Sequence, residues 1–322
     1  MTKHNERFAH EGLCLRPEYR FEVFREEERR LGMGAHMNVT RGIPEAQAMV
    51  DYHFESAAHY WDEIYEAQDV SSVIYQERQR AVLGLIDSLK MRAGLRALEI
   101  GCGAGRLAVE LAERGLLVDA IDGAEAMIET ARARAKRAGV SDQLTVGRGD
   151  VHHLEAGDGT FDLVVAVGVL PWLPSLDAPL REMARVTKPG GSVLVTMDNR
   201  WALHRFLEPR VNPLVMPLKR GVSQVLARAG LVAVKTHART WSMGETDRAL
   251  ERVGLRKKSG FTLGFGPFTV WKKTIVSDPR GIRIHQRLQK LSNAGWKGIR
   301  SMGGHYLLLA GKEAEHERQQ IT

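Results

Sequence analysis

The segment ALEIGCGAGRL, residues 97–107, combines an acidic side chain with three glycines directly after an apolar run. Glu99 lies two residues before Gly101, and Gly103 and Gly105 complete the spacing G-x-G-x-G. Glycines in such a loop let the chain turn sharply and let a ligand approach the main-chain N–H groups at a helix start. A dinucleotide-binding loop has the different spacing G-x-G-x-x-G. Glu99 would repel a pyrophosphate but attract an ammonium group, so we predict a nucleotide-like ligand that carries a positive charge.

Short apolar segments alternate with helix-like segments from residue 95 onward. This alternation is typical of βαβ units, which build a parallel sheet covered by helices. The glycine loop then lies at the carboxyl end of the first strand, the edge at which such sheets bind ligands. The predicted strands are 96–100, 117–121, 144–148, 161–167, 191–197, 257–266 and 305–312, and the predicted helices are 104–114, 124–138, 178–187, 245–255 and 281–294.

Five ordered segments resemble the motifs of class I S-adenosylmethionine-dependent methyltransferases. The first, LEIGCGAGRLAVELAERG, is similar to the glycine-rich motif of that family. The resemblance covers about residues 97–198, and weaker similarity to the sixth and seventh strands of the family follows at 245–265 and 305–312. The other four segments are VDAID (118–122), VGRGDVHHL (146–154), FDLVVAVGVLPWL (161–173) and LREMARVTKPGGSVLVTMDN (180–199).

The resemblance implies an α/β fold: a Rossmann-like, doubly wound, mostly parallel seven-stranded sheet with helices on both faces, plus a helical lid. It also implies S-adenosylmethionine as cofactor, with Asp122 accepting from the ribose hydroxyls and Asp150 meeting the adenine amine beside the Val151 backbone. Arg78 is a candidate for the cofactor carboxylate, although a solvated side chain is an equal reading of its position. The full set of predicted cofactor-binding residues is Glu99, Gly101, Cys102, Gly103, Gly105, Asp122, Gly123, Met127, Asp150, Val151 and Val167.

Composition divides the chain into segments of different character. Residues 199–322 contain 23 Lys and Arg against 8 Asp and Glu, whereas the whole chain has a net charge of only +7. Such an asymmetry indicates either an anionic partner for the second half or a solvated basic surface. We predict a polar arm (1–45), a helical cap (46–92), a cofactor-binding core (93–198), a basic amphipathic insertion acting as substrate lid (199–243), the remaining core (244–312) and a tail (313–322).

The acceptor is predicted to be a small molecule, because the motifs of other acceptor classes are missing. The segment VGVLPWL (167–173) replaces the [DN]-P-P-[YF] sequence of base-amine and glutamine methyltransferases, and it lacks the glutamates of the arginine methyltransferases. The apolar and basic insertion suits an apolar acceptor with an anionic group. The predicted substrate residues are Tyr60, Trp61, Trp172, Asp198 and Trp201, and His204 is the candidate general base.

Two other functions remain open at this point, an RNA methyltransferase and a non-catalytic cofactor-binding scaffold. We see no appended RNA-binding module, so no nucleic acid partner is favoured. The basic insertion is also compatible with peripheral contact with an anionic membrane surface. Only two cysteines and no N-terminal apolar segment are present, so we expect a cytoplasmic protein without disulfides. We expect no metal site, and the sequence leaves the acceptor atom and the oligomeric state open.

Overall fold

The computed structural model describes residues 63–173, 175–219 and 239–314, together with residues 50, 54, 55, 61 and 221. The predicted arm (1–45), most of the predicted tail, part of the cap and part of the insertion lie outside the described residues.

A seven-stranded sheet forms the centre of the structure, as predicted. The strand order is β3-β2-β1-β4-β5-β9-β6, in which β1 to β5 are parallel and β9 runs antiparallel between β5 and β6. A separate two-stranded hairpin, β7–β8, precedes the last helix. The strands are β1 Arg96–Ile100, β2 Leu117–Asp122, β3 Leu144–Arg148, β4 Phe161–Ala166, β5 Thr187–Asp198, β6 Leu255–Leu263, β7 Thr269–Val270, β8 Lys273–Thr274 and β9 His305–Lys312.

Helices cover both faces of this sheet because its strands are apolar on both sides. In β4, Leu163 and Val165 belong to one apolar cluster, while Val164 and Ala166 belong to the other. Alternate side chains of a strand point to opposite faces, so a continuous apolar run requires cover on each face. The helices are α1 Val70–Ser88, α2 Arg106–Glu113, α3 Glu125–Ala138, α4 Asp177–Val186, α5 Leu203–Leu207, α6 Met243–Glu251 and α7 Asp278–Asn293.

The segment KPGG (188–191), whose residues are typical of a helix stop and a turn, is part of β5 rather than a separate element. Gly190 has φ 81°, and the pairing of β5 with β4 shifts between Phe161 and Leu163. The strand therefore starts at Thr187 and bulges at the glycines before it enters the core. A local turn signal predicted the irregularity, but only the pairing with β4 shows that the strand continues through it.

A buried histidine ties α1 to the last helix and so fixes the helix that carries Arg78. His285, which is fully buried, accepts a hydrogen bond at Nδ1 from the Phe265 N–H (3.1 Å), and its Nε2 lies 2.8 Å from Glu77 Oε2. Because Nδ1 is an acceptor, the proton resides on Nε2 and is donated to the carboxylate. Glu77 and Arg78 are neighbours, so this contact also sets the position of Arg78.

We expect His285→Ala to lower the free energy of unfolding by about 3 kcal/mol, because a buried N–H and a carboxylate lose their partner together with the ring's packing. Urea denaturation measures this effect. The matched control is Gln286→Ala on the exposed face of α7, which should change stability by less than about 0.5 kcal/mol. Equal effects of the two substitutions would contradict this role of His285.

Candidate functional site

A cavity of about 540 Å³ opens at the carboxyl ends of β1, β2 and β4. Ten of the eleven predicted cofactor-binding residues line it, and Gly105 is the exception. The cavity extends from the loop after β3 to aromatic residues that precede α1. These ten residues are Glu99, Gly101, Cys102, Gly103, Asp122, Gly123, Met127, Asp150, Val151 and Val167.

Two glycines of the loop are required for different reasons. Gly101 has φ 66°, and a Cβ there would collide with the adjacent Val169 side chain. Gly105 has φ 76° at the start of α2, and its Cβ would lie 2.7 Å from Ala131 Cβ of α3. Gly105 therefore allows α2 and α3 to pack closely, and it does not contact the cavity.

Asp122 ends β2 and holds the glycine loop through its carboxylate. Oδ2 accepts from the Gly103 N–H (2.8 Å), and Oδ1 accepts from the Ala124 N–H (3.0 Å). Each carboxylate oxygen has more than one acceptor direction, so further donors can be bound from the cavity side. Vicinal hydroxyl groups of a ribose are donors of this kind.

Glu99 is buried next to the loop, and its Oε2 has no hydrogen-bond partner among the described residues. Burial raises the pKa of this carboxyl group well above its ordinary value, nearby Asp122 raises it further, and a hydrogen bond from the Ala108 backbone opposes both effects. A buried acid with one unsatisfied oxygen at the cavity wall is suited to a cationic ligand group, because pairing would stabilise the ionised form. The residue therefore fits the ammonium group of S-adenosylmethionine.

We expect the affinity for S-adenosylmethionine to increase with pH between the ordinary pKa of a glutamate and the raised pKa of Glu99. The free protein holds the proton in this range, whereas an ammonium ligand favours the carboxylate, so binding releases a proton. Calorimetry in buffers of different ionisation enthalpy measures this release. Glu99→Gln should abolish it.

The pH dependence of the stability of the free protein provides a second test of the raised pKa of Glu99. Because the pKa in the folded state is raised, the contribution of Glu99 to stability declines as the pH rises above its unfolded pKa. The Gln variant should lose this decline and melt at a higher temperature near neutral pH. A proton release that persists in the Glu99→Gln variant would contradict both the raised pKa of Glu99 and its contact with the ammonium group of the ligand.

Arg78 places a buried cation at the cavity wall beside Gly168, in the segment after β4. Its Nη2 donates to Tyr65 Oη (3.1 Å), and its guanidinium lies over the Tyr75 ring, 4.5 Å from the ring centre. No carboxylate of the described residues lies within ion-pair distance of Arg78, and Nε has no hydrogen-bond partner there. Burial alone would lower the pKa of Arg78, but Tyr65, Tyr75 and Asp198 outweigh it, so the pKa is raised and the group stays charged.

The sequence contained a signal for the burial of Arg78. The residue lies four positions after Ile74 and four before Val82, and both of these are buried. Residues at this spacing share one helix face, so Arg78 belongs to the buried stripe of α1. A cation in that stripe indicates an anionic partner more strongly than a cation on the solvated face.

The opposite end of the cavity is bounded by the loop after β3. Asp150 Oδ1 accepts from the His152 N–H (2.9 Å) and lies 2.8 Å from His152 Nδ1. The Val151 side chain is buried beneath this turn. His152 is a residue that the sequence prediction missed: it orients the carboxylate of Asp150, which remains exposed for a donor such as an exocyclic amine.

Aromatic side chains form the wall near Arg78. Phe54 contacts Trp61 and Trp172, with ring centres 5.6 and 5.2 Å apart, and all three line the cavity. Trp61 also meets the Tyr75 ring at 6.2 Å. Two of the predicted substrate residues are thus brought together, whereas Tyr60 lies outside the described residues.

The other predicted substrate and catalytic residues lie at the end of β5 and do not line the cavity. Asp198 Oδ1 is 3.2 Å from Nδ1 of His305, the cross-strand neighbour at the start of β9. Burial lowers the pKa of His204 to about 3, helped by Arg205 and His305, and its enclosed Nδ1 has no partner among the described residues. Such a histidine is a weak proton acceptor near neutral pH, which disfavours the predicted role. Trp201 is exposed and stacks on Phe206.

Two further properties concern only the described residues. They contain no group of three or more His, Cys, Asp or Glu side chains arranged to hold a metal ion. Among them, no helix is both long enough and apolar enough to span a bilayer.

Comparison with known proteins matches residues 98–195 to the family described as "Methyltransferase domain". The chain is 35% identical over 133 residues to 27-O-demethylrifamycin SV methyltransferase of Amycolatopsis mediterranei, covering 41% of this chain and 47% of that protein. It is 32% identical over 151 residues to a ubiquinone biosynthesis O-methyltransferase of Pseudomonas aeruginosa, covering 46% and 61%. The chain thus spans about half the length of the curated relatives it matches.

A solved structure shares the fold over most of both chains. Magnesium protoporphyrin IX methyltransferase from Synechocystis PCC 6803, with bound S-adenosylhomocysteine, aligns with a TM-score of 0.56 and 18% identity. The alignment covers 83% of this chain and 100% of that protein. At this identity the similarity establishes a common fold.

Proposed function

Since residues 98–195 form a class I S-adenosylmethionine-dependent methyltransferase domain, we propose that the chain transfers a methyl group from S-adenosylmethionine to an apolar small molecule that carries an anionic group. The observation that carries this proposal is that a buried carboxyl group and a buried guanidinium line the same cavity. Glu99 lies on β1 directly before the glycine loop, and Arg78 lies on α1; both line the cavity. Together they match the ammonium and carboxylate groups of the methionine part.

The protein's own residues then have separate tasks. Bound S-adenosylmethionine supplies an electrophilic methyl group on its sulfonium sulfur. Asp122 binds the ribose hydroxyls, and Asp150 with the Val151 backbone binds the adenine. The aromatic wall of Phe54, Trp61 and Trp172 excludes water and packs against the acceptor. Alignment of the acceptor with the methyl group is the main contribution required of this wall.

The nature of the acceptor is inferred from the surroundings of the cavity. An aromatic wall favours an apolar acceptor, and the basic insertion after β5 favours an anionic group on it. The matched relatives include proteins named for 27-O-demethylrifamycin SV and for ubiquinone biosynthesis, and both names specify an oxygen. We therefore place a hydroxyl of an apolar small molecule first among candidate acceptors.

An oxygen acceptor also needs a group that takes its proton. We propose Asp198 and His305 for this task in place of His204. Neither residue lines the cavity itself, but the His305 ring packs against Tyr75, which in turn contacts Trp61 of the cavity wall. A carboxylate 3.2 Å from Nδ1 orients the imidazole so that Nε2 can accept the proton. The kcat of a His305→Gln variant should fall about 100-fold or more, whereas cofactor affinity should be retained.

The proposal is tested by incubating the purified chain with S-adenosylmethionine and a panel of apolar phenols and carboxylic acids. Formation of S-adenosylhomocysteine supports it, together with a product that is heavier than the acceptor by one methylene group, about 14 Da. RNA binding with a steep salt dependence and methylated RNA would favour an RNA methyltransferase instead. Tight cofactor binding without turnover on any acceptor would favour a scaffold.

We also propose that the chain makes peripheral contact with an anionic membrane surface.

A further inference from the structure

The hairpin β7–β8 presents a tryptophan and lysines at its tip. Trp271 is 62% exposed, and Lys273 and Ile275 are also exposed. Trp271 and Lys272 have φ values of 50° and 66°. Two-residue hairpin turns with positive φ at both positions strongly favour Asn-Gly or Gly-Gly. This tip therefore keeps a large aromatic residue and a lysine where turn formation alone would select small ones.

A buried glutamate fixes the hairpin against the insertion. Glu208 Oε2 accepts from the Lys272 N–H (2.9 Å), and Oε1 accepts from the Arg210 N–H (3.2 Å). Glu208 is itself buried. The tip is thus held in a defined position beside the segment after α5, which a merely solvated loop would not require.

The neighbouring part of the insertion is also apolar and basic. We call residues 207–219 and 271–275 the hairpin surface. Its basic residues are Arg210, Lys219, Lys272 and Lys273, and its one acidic residue, Glu208, is used internally. The exposed apolar side chains of the hairpin surface are Leu207, Leu214, Val215, Leu218, Trp271 and Ile275.

We propose that the hairpin surface docks on an anionic lipid bilayer, with Trp271 at the headgroup level and the lysines facing the lipid phosphates. Tryptophan is enriched at membrane–water interfaces, and basic residues near an anionic surface add attraction. Lysine is depleted in the cores of protein interfaces, so lysines around an exposed tryptophan favour lipid over a protein partner. The inference deepens the membrane contact proposed above, but it does not depend on methyl transfer.

Sedimentation with lipid vesicles tests the proposal. The full chain should bind vesicles containing phosphatidylglycerol and bind pure phosphatidylcholine vesicles far more weakly. Trp271→Ala should lower the partition coefficient at least about tenfold, because exposed aromatic area no longer enters the interface. The double variant Lys219→Gln/Lys273→Gln should lower it about 25-fold, at about fivefold for each lysine.

Trp296→Ala is the matched control. Trp296 is 59% exposed but lies beyond the far end of α7, a helix about 24 Å long at 1.5 Å per residue. Its replacement should leave vesicle binding unchanged. Equal losses for Trp271→Ala and Trp296→Ala, or no preference for anionic vesicles, would overturn the proposal.

Measurements of cofactor affinity and melting temperature distinguish a failure of this proposal from a failure of the proposed enzyme activity. Both should be unchanged in the hairpin variants, because these residues lie outside the cavity. A chain that binds S-adenosylhomocysteine but not vesicles contradicts only the docking surface. A chain that binds anionic vesicles but neither cofactor form contradicts only the methyltransferase proposal.

Discussion

Replacing Asp122 by alanine is expected to weaken the binding of S-adenosylmethionine by about 100-fold or more, since charge-assisted hydrogen bonds contribute about 1.5–3 kcal/mol each. The change removes the acceptor for the ribose hydroxyls. It also leaves the Gly103 and Ala124 N–H groups without their partner, so the glycine loop loses its support. Calorimetric titration gives the affinity directly.

Asp119→Ala provides the matched control on the same strand. Asp119 pairs with Arg96 at a partly exposed position in the first half of β2, and it does not line the cavity. Its replacement removes a carboxylate of equal charge but should change the affinity by less than about threefold, as expected for an exposed ion pair. If the two variants bound the cofactor equally well, the ribose assignment of Asp122 would have to be abandoned.

Replacing Arg78 by methionine should weaken ligand binding by a similar factor, but only for ligands that contain the amino acid part of the cofactor. We expect the affinity for S-adenosylhomocysteine to fall about 100-fold, because the carboxylate loses a buried charged partner. Binding of methylthioadenosine should change little, since this molecule has the adenosine part without the amino acid. Titration with both ligands measures the difference.

The comparison between the two variants is sharper than either alone. Asp122→Ala should weaken both ligands, whereas Arg78→Met should weaken only the one that contains the amino acid. Arg80→Met is the control, because Arg80 is exposed on the solvated face of α1. A loss of methylthioadenosine binding in Arg78→Met would indicate that the side chain supports the cap rather than the ligand carboxylate.

The sheet and the cofactor end of the site could be predicted from the sequence because their signals are local. Glycines and acids at strand ends occur within a few residues of one another, and parallel pairing then brings these ends to one edge. Ten of the eleven cofactor-binding residues that the family resemblance implied line the cavity, and the glycines and acids among them also follow from this rule. Gly105 does not, since its neighbour Ala131 belongs to a different helix.

The contacts that were not predicted join residues far apart in the chain. Glu77 meets His285 across 208 positions, and Asp198 meets His305 across 107. Nothing in a local pattern indicates that these residues are partners. The position of His305 depends on β9 entering between β5 and β6, which only the full topology determines. The hairpin tip at Trp271 was missed because its sequence lacks the usual turn residues.

The most direct test of the proposed function is calorimetric titration of the purified chain with S-adenosylmethionine, S-adenosylhomocysteine and NADH. We predict micromolar binding of the first two ligands and none of NADH, because Glu99 and Arg78 together match an amino acid group and Glu99 disfavours a pyrophosphate. Binding of NADH alone, or of none of the three, would contradict the assignment of this cavity to S-adenosylmethionine.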